Sequence, residues 1–223
     1  MNQQQKELWV ATIESSNLTG EITKDTINEL GLILGGQPQL AQNIYQSFLN
    51  QTTSYEHKPR IGAIIHISFD YEKERVTFAW LKKQVVLTVP QFKRFMGFVD
   101  TIFTEIYPIG TIVELDEELL TEDVKALFTT DELGLFVSVQ GRKLTIPETQ
   151  MMIDYVGTLW PFGLQAEVEP IYFNSVMVKR VISEGPTNAY EEKFTFEVLR
   201  KQLAQDEKYS CTYEIGRASC RER

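Results

Sequence analysis

Histidine and cysteine, the residues that most often betray a metal or nucleophilic site, are scarce: the 223-residue chain has two of each. His57 falls in the polar run Tyr55-Glu56-His57-Lys58-Pro59, and His66 lies between Ile65 and Ile67 on the less apolar face of a strand pattern. Neither has a second ligand at metal spacing, such as a partner four residues on along a helix, so both are read as structural or exposed. No metal site and no cofactor are assigned. Gly31, Gly35 and Gly36 lack the following Gly-Lys-Ser/Thr of a phosphate loop and read as punctuation. No run approaches the roughly 18 apolar residues of a membrane span. The opening Met1-Asn2-Gln3-Gln4-Gln5-Lys6-Glu7 has no apolar signal core. A cytoplasmic protein without a membrane partner is expected. Positive charge is also short, with 22 Lys and Arg against 31 Asp and Glu, a net charge of −9. The basic pairs Lys82-Lys83, Lys93-Arg94, Arg142-Lys143 and Lys179-Arg180 are dispersed and read as solvated faces. Nucleic acid is excluded as a partner, because it needs clustered cations.

Aromatic side chains are abundant, with 13 Phe, 9 Tyr and 3 Trp, enough for a core without staples. Leu8 to Ile13 alternates and predicts a strand with Trp9, Ala11 and Ile13 on one face. A short helix is expected over Thr23–Leu30, stopped by Gly31 in a left-handed cap. Pro38 opens a second helix with the stripe Leu40, Ala41, Ile44, Tyr45 and Phe48. Thr52 to Pro59 reads as a loop. Alternation is clearest at Ala63–Tyr71, Val76–Trp80 and Val85–Val89, which predicts an antiparallel meander with one buried face. Pro90 then opens the strongest helix, with Phe92, Phe95, Met96, Val99, Ile102, Phe103 and Ile106 on its apolar side. Burial of those seven side chains is worth roughly 10–20 kcal/mol before conformational entropy is subtracted.

Tyr107-Pro108 ends that helix. Ile109–Leu115 follows as a strand. Asp116–Phe128 reads as acidic and partly helical, with Thr121 as cap and Glu122 and Asp123 in the first turn. Its acids do not follow the alternating ligand pattern of an EF-hand. Leu133–Val139 and Arg142–Ile146 read as a hairpin turning at Gln140-Gly141. Met151–Thr158 is a strand that runs into an aromatic, kinked stretch, Asp154 to Gly163. Two strands, Ile171–Phe173 and Val176–Ser183, precede a terminal helix over Ala189–Ala204 that uses Phe194, Val198, Leu199 and Leu203 as its buried stripe. The fold class expected is α+β: an N-terminal antiparallel β-meander packed by helices (1–106), then a small β-rich unit closed by a C-terminal helix (107–213). The last ten residues, Glu214 to Arg223, resemble a translated sequencing adapter and are read as a non-native tail (214–223). That leaves Cys211 as a lone thiol, which fits a reducing compartment.

Four segments of the second half occur in order in one family. Tyr107-Pro108-Ile109-Gly110-Thr111-Ile112-Val113 is followed by Val139-Gln140-Gly141-Arg142. Asp154-Tyr155-Val156-Gly157-Thr158-Leu159-Trp160-Pro161-Phe162-Gly163 comes next, then Tyr172-Phe173-Asn174 through Ser183-Glu184-Gly185. Over about Tyr107–Gln205 the chain resembles the domain of unknown function 4176 family, with Trp160 where that family usually has tyrosine. The resemblance implies a component of Gram-positive type VII secretion loci, encoded beside LXG-type toxins. It implies a non-enzymatic cytoplasmic chaperone or adaptor that binds the toxin before export, and it carries over no catalytic residues. Two alternatives stay open. One is an immunity protein that neutralises a cognate toxin, for which net acidity would suit a basic nuclease. The other is a carboxylate-dependent enzyme or small-ligand binder resting on the acidic run. Trp160 and Phe162, with Tyr155 behind them, are the candidate partner-binding residues, since aromatics carry much interface energy. Their alternative role is core packing.

Overall fold

The first element is a helix, α1 (Gln3–Ser15), where alternation suggested a strand. Asn2 and Gln5 form a reciprocal capping box that satisfies two N-terminal donors. Trp9, Thr12 and Ile13 then fall on one buried helical face, whereas Ala11 is exposed. In this computed structural model the described residues are all except 17, 19–23, 61, 121, 127–133, 167 and 216–223. The expected cap Thr121 and most of the tail therefore lie outside them.

The chain divides into two compact units, Met1–Thr104 with Leu203–Tyr209, and Glu105–Gln202 with Ser210–Arg223. In the first unit, α2 (Lys24–Gly35) runs straight through Gly31. A Cβ at Gly31 would lie 1.9 Å from the Trp9 ring, and one at Gly35 would lie 2.3 Å from the Phe103 ring. These glycines seat rings rather than end the helix. Helix α3 (Pro38–Leu49) starts at Pro38 as expected. The predicted loop that follows contains a short strand, β1 (Ser54–His57), which pairs with β2 (Ile65–Asp70). Strands β3 (Arg75–Trp80) and β4 (Lys83–Thr88) complete an antiparallel sheet in the order β1-β2-β3-β4. Helix α4 (Val89–Phe103) opens on a Thr88–Gln91 capping box with Pro90 in its first turn. All seven of its predicted core residues, with Ile106 just beyond it, are buried. Phe98 is buried as well, against Tyr209, and a Cβ at Gly97 would lie 2.8 Å from the Tyr209 ring.

The second unit holds β5 (Ile112–Leu115), the short helix α5 (Glu122–Lys125), β6 (Phe136–Thr145), β7 (Met151–Leu159), β8 (Ile171–Phe173) and β9 (Val178–Ser183). After β9 come α6 (Ala189–Lys193), a π-helical turn over Phe194–Arg200 and α7 (Lys201–Gln205). The two-residue strand β10 (Tyr209–Ser210) and α8 (Thr212–Ile215) end the described chain. The sheet order is β10-β7-β6-β5-β9, with β8 also on β7. Its core is Val113, Leu115, Val137, Val139, Tyr155, Ile171, Phe173 and Met177. The fold class is α+β, with an N-terminal helix and sheet region, a β-rich middle and C-terminal helices.

Two local expectations change here. Gln140-Gly141 is a bulge within the continuous strand β6 and not a turn: β7 pairs with β6 on both sides of a register shift between Val139 and Gly141. A Cβ at Gly141 would lie 2.7 Å from Val156 Cγ1. The terminal helical run spans Ala189–Gln205 as expected, but Val198 is exposed and Arg200 buried. The π turn bonds residues five apart, so the stripe rotates away from positions set by α-helical spacing.

Candidate functional site

The site is built on β7 and the turn that leaves it. Four of its residues show why an apolar-looking strand carries a carboxylate. Asp154 is 1% exposed, and its Oδ1 accepts from Lys143 Nζ at 2.9 Å. Its Oδ2 accepts from the Ser175 backbone N–H and from Ser210 Oγ, each at 2.9 Å. Its own N–H donates to Asn174 Oδ1 at 3.3 Å. Buried charge persists only when paired and hydrogen-bonded in this way. Lys143 and Arg142 are therefore not a solvated pair. The bulge at Gly141 and the left-handed backbone of Lys143 (φ 51°) accompany its turn to the interior. Arg142, part-buried, ion-pairs with the part-buried Glu191 and donates to the Tyr107 carbonyl. The Arg142 guanidinium beside Glu191 holds that carboxyl below its ordinary range, and a hydrogen bond from Thr195 assists.

Tyr155 is fully buried. Its ring stacks between Tyr107 and Phe173 at 5.4 and 5.3 Å. Its hydroxyl accepts from the Tyr107 N–H at 3.0 Å and donates to the Glu105 carbonyl at 3.4 Å. Burial pushes the phenol up to about 12. Gly157 lets β6 approach, since a Cβ there would lie 2.4 Å from Val137 Cγ1 and 2.5 Å from the Ser138 carbonyl oxygen.

Beyond Leu159 the chain turns outward. Trp160 N–H donates to the Phe136 carbonyl at 3.0 Å, the Trp160–Pro161 peptide is cis, and Gly163 N–H returns to the Leu159 carbonyl at 2.8 Å. Gly163 has φ 71°, which favours glycine. Trp160 is 41% exposed, Phe162 58% and Leu164 78%. Trp160 leans edge-on against Phe136, with ring centroids 6.0 Å apart. Of the three candidate residues, Trp160 and Phe162 thus share an exposed apolar turn, while Tyr155 sits in the core and does not join them. Leu164 was missed; the signal was an apolar residue directly after a glycine turn. On the neighbouring strand Tyr172 is partly exposed and, with Ile153, Glu169 and Pro170, lines a shallow open groove.

The other sequence candidates sit elsewhere. His57 Nε2 lies 3.1 Å from Gln37 Oε1, and His66 Nδ1 lies 2.9 Å from Glu56 Oε2 on an exposed strand face. In the acidic run, Asp116 caps a 3₁₀ turn over Glu117–Leu119, and Glu122 pairs with Lys125. Glu114 is held below the usual carboxylate range by Arg180 and then Lys179. Cys211 is buried, with its Sγ 3.7 Å from Asn174 Oδ1. Among the described residues, no group of three His, Cys, Asp or Glu is placed to hold a metal ion, and no helix is long and apolar enough to cross a membrane.

Residues 134–194 match the model of a domain of unknown function, DUF4176. No curated protein and no solved structure matches the chain. The matched segment contains β6 to β9, the buried Lys143–Asp154 pair and the exposed turn.

Proposed function

We propose that this protein is a non-enzymatic binding protein, a chaperone or adaptor that holds an LXG-type toxin of a type VII secretion system before export. The observation that carries the reading is the placement of exposed apolar side chains. Trp160, Phe162, Leu164, Tyr172, Ile182 and Tyr190 are all exposed, and all fall within the family-matching segment. Trp160, Phe162 and Leu164 share one turn; exposed apolar groups set together on a surface mark interaction sites, and aromatic anchors dominate binding energy. The secretion setting comes from the resemblance of the four ordered motifs. A cytoplasmic location follows from the same reading.

The test is co-expression with the toxin encoded beside it, divided into N-terminal and C-terminal halves. Retention of one half, abolished by Trp160→Ala with Phe162→Ala, is the expected result. Retention of neither half overturns the proposal. Retention of the C-terminal half together with loss of its toxicity would instead favour an immunity role, the reading that net acidity supports through attraction to a basic toxin domain.

A further inference from the structure

The register of the second sheet places Trp160 at one end of a row whose other end is basic. Trp160 lies opposite Phe136, Phe136 pairs with Glu114, and Glu114 pairs with Arg180. Their chain neighbours Leu159, Val137, Val113 and Val181 pack in the core, so these four side chains share the opposite face. Adjacent strands are about 4.8 Å apart, which sets Trp160 and Arg180 about 14 Å apart along the row. The β7 end is aromatic, with Trp160 resting on Phe136. In the paired rows of this face the charges outside the buried Lys143–Asp154 pair are Glu114, Arg180 and, from the adjoining bulge in β9, Lys179. Glu114 accepts from Arg180 Nε at 2.5 Å and pairs with Lys179 Nζ at 3.0 Å. The Arg180 and Lys179 side chains are 64% and 59% exposed. Two cations on one carboxylate leave a single positive charge. Arg180 Nε is engaged, while its two Nη groups have no partner among the described residues. A planar fork is thus held by one edge with the other open, the geometry that suits a carboxylate.

One uncompensated charge is too little for nucleic acid or an anionic membrane, since both draw on clustered cations, and a net charge of −9 repels them. It matches one carboxylate, bound at contact distance while acids more than about 8 Å away are screened. We infer that this face docks an acidic amphipathic segment of a partner protein: apolar side chains seat on Trp160 and Phe136, and a carboxylate about 14 Å along the row takes the Arg180 fork. The inference rests on the protein-binding reading above and adds the chemistry of the partner and the direction in which it lies. Basic segments are disfavoured, because they meet Lys179 and Arg180.

The molecule carries its own reporter. Of its three tryptophans, Trp9 and Trp80 are buried and Trp160 is 41% exposed. Changes in acrylamide quenching and in the emission maximum on binding therefore report on Trp160. The full chain is titrated with three synthetic helices that differ at one position. Each carries a Leu pair and, about two to three turns beyond it on the same face, Glu, Gln or Lys, a spacing of about 10–16 Å. The expected order of affinity is Glu above Gln above Lys, with about fivefold between Glu and Gln that vanishes at high salt. Arg180→Gln should remove that preference. Glu114→Gln, which frees both cations, should enlarge it. Circular dichroism spectra should be unchanged in both variants, and the opposite signs separate recognition from a packing defect, which would weaken both alike. The inference is overturned by equal affinity for the three peptides, by preference for Lys, by a Glu preference that survives Arg180→Gln, or by no response to any of them. It is also overturned if Trp160 is already protected in a peptide-free sample that sediments as a dimer, which would make the face a contact between copies. Toxin retention in the co-expression assay decides the broader function separately. Retention that depends on Trp160 and Phe162 but not on Arg180 overturns the acidic partner segment and leaves the binding protein standing.

Discussion

At the residue scale, the side chains of Asp154 to Gly163 separate into an interior set and a surface set. Lys143→Met leaves Asp154 buried without its cation and should cost about 3–5 kcal/mol in urea unfolding. Lys143→Met with Asp154→Leu should recover most of that loss, because removing both charges removes the desolvation penalty too. Tyr155 gives a pH signature. Its phenol is raised from an ordinary 10.0 to about 12 by burial, so the folded state holds the proton more tightly than the unfolded state. The contribution is complete below pH 10, declines as pH rises above it and is lost through about 12. Urea midpoints measured across that window should fall, and Tyr155→Phe should flatten the decline while lowering stability at neutral pH. Trp160 behaves differently. A buried indole would cost about 3–5 kcal/mol on truncation, but this ring is 41% exposed and rests on Phe136 alone among described aromatic rings. Trp160→Ala should therefore cost only about 1 kcal/mol, from the lost edge-on contact and part of the ring's burial. Lost partner binding at near-normal stability would then mark Trp160 as an interface residue. The aromatic character of this stretch was legible in sequence, but its division between core and surface was not. Strand alternation breaks at Asp154-Tyr155, both buried, and only the pairing partners fix that.

At the element scale, glycine has roles that local sequence does not separate. Gly31 resembles a helix stop because it precedes an apolar break in spacing, yet α2 continues for another turn. A Cβ there would sit 1.9 Å from a fully buried indole that cannot swing aside. Gly31→Ala gains about 1 kcal/mol of helix propensity but should lose more, about 1–3 kcal/mol net, through overpacking. Thermal unfolding followed by circular dichroism would show it as a lower midpoint. Gly141 follows the same logic in a strand: a turn and a bulge need the same residue, and only the β7 register separates them. The meander and α4 are legible in the sequence, because period two and period 3.6 act over many residues and need no long-range partner to be recognised. α1 is not legible in the same way. Its six-residue window fitted both periods, and the capping box at Asn2 and Gln5 was the discriminating signal.

At the scale of the whole molecule, the chain threads both units more than once. After Gln202 it adds Leu203–Tyr209 to the first unit, then returns to the second at Ser210. Tyr209 fills the space left by Gly97, Thr101 donates to the Lys208 carbonyl at 3.2 Å, and Glu207 pairs with Arg94. Ser210 holds Asp154, and Cys211 N–H donates to the Met152 carbonyl at 2.8 Å. Truncation after Gln202 should thus lower the melting temperature of the first unit and expose Asp154 to loss of a donor in the second. Calorimetry of the truncated and full chains would test this, and an unchanged first transition would refute it.

The sequence by itself determined the class of fold, the N-terminal meander, the strongest helix and the absence of basic residues between Leu144 and Val178. Those are properties of local period and composition, written into neighbouring residues. The tertiary structure decided what depends on partners distant in the chain. It paired Lys143 with Asp154 across a bulge and buried Tyr155 between Tyr107 and Phe173. It also left Trp160 and Phe162 at the surface. Burial is a property of what packs against a residue, and those neighbours lie on strands and helices that the local sequence does not name.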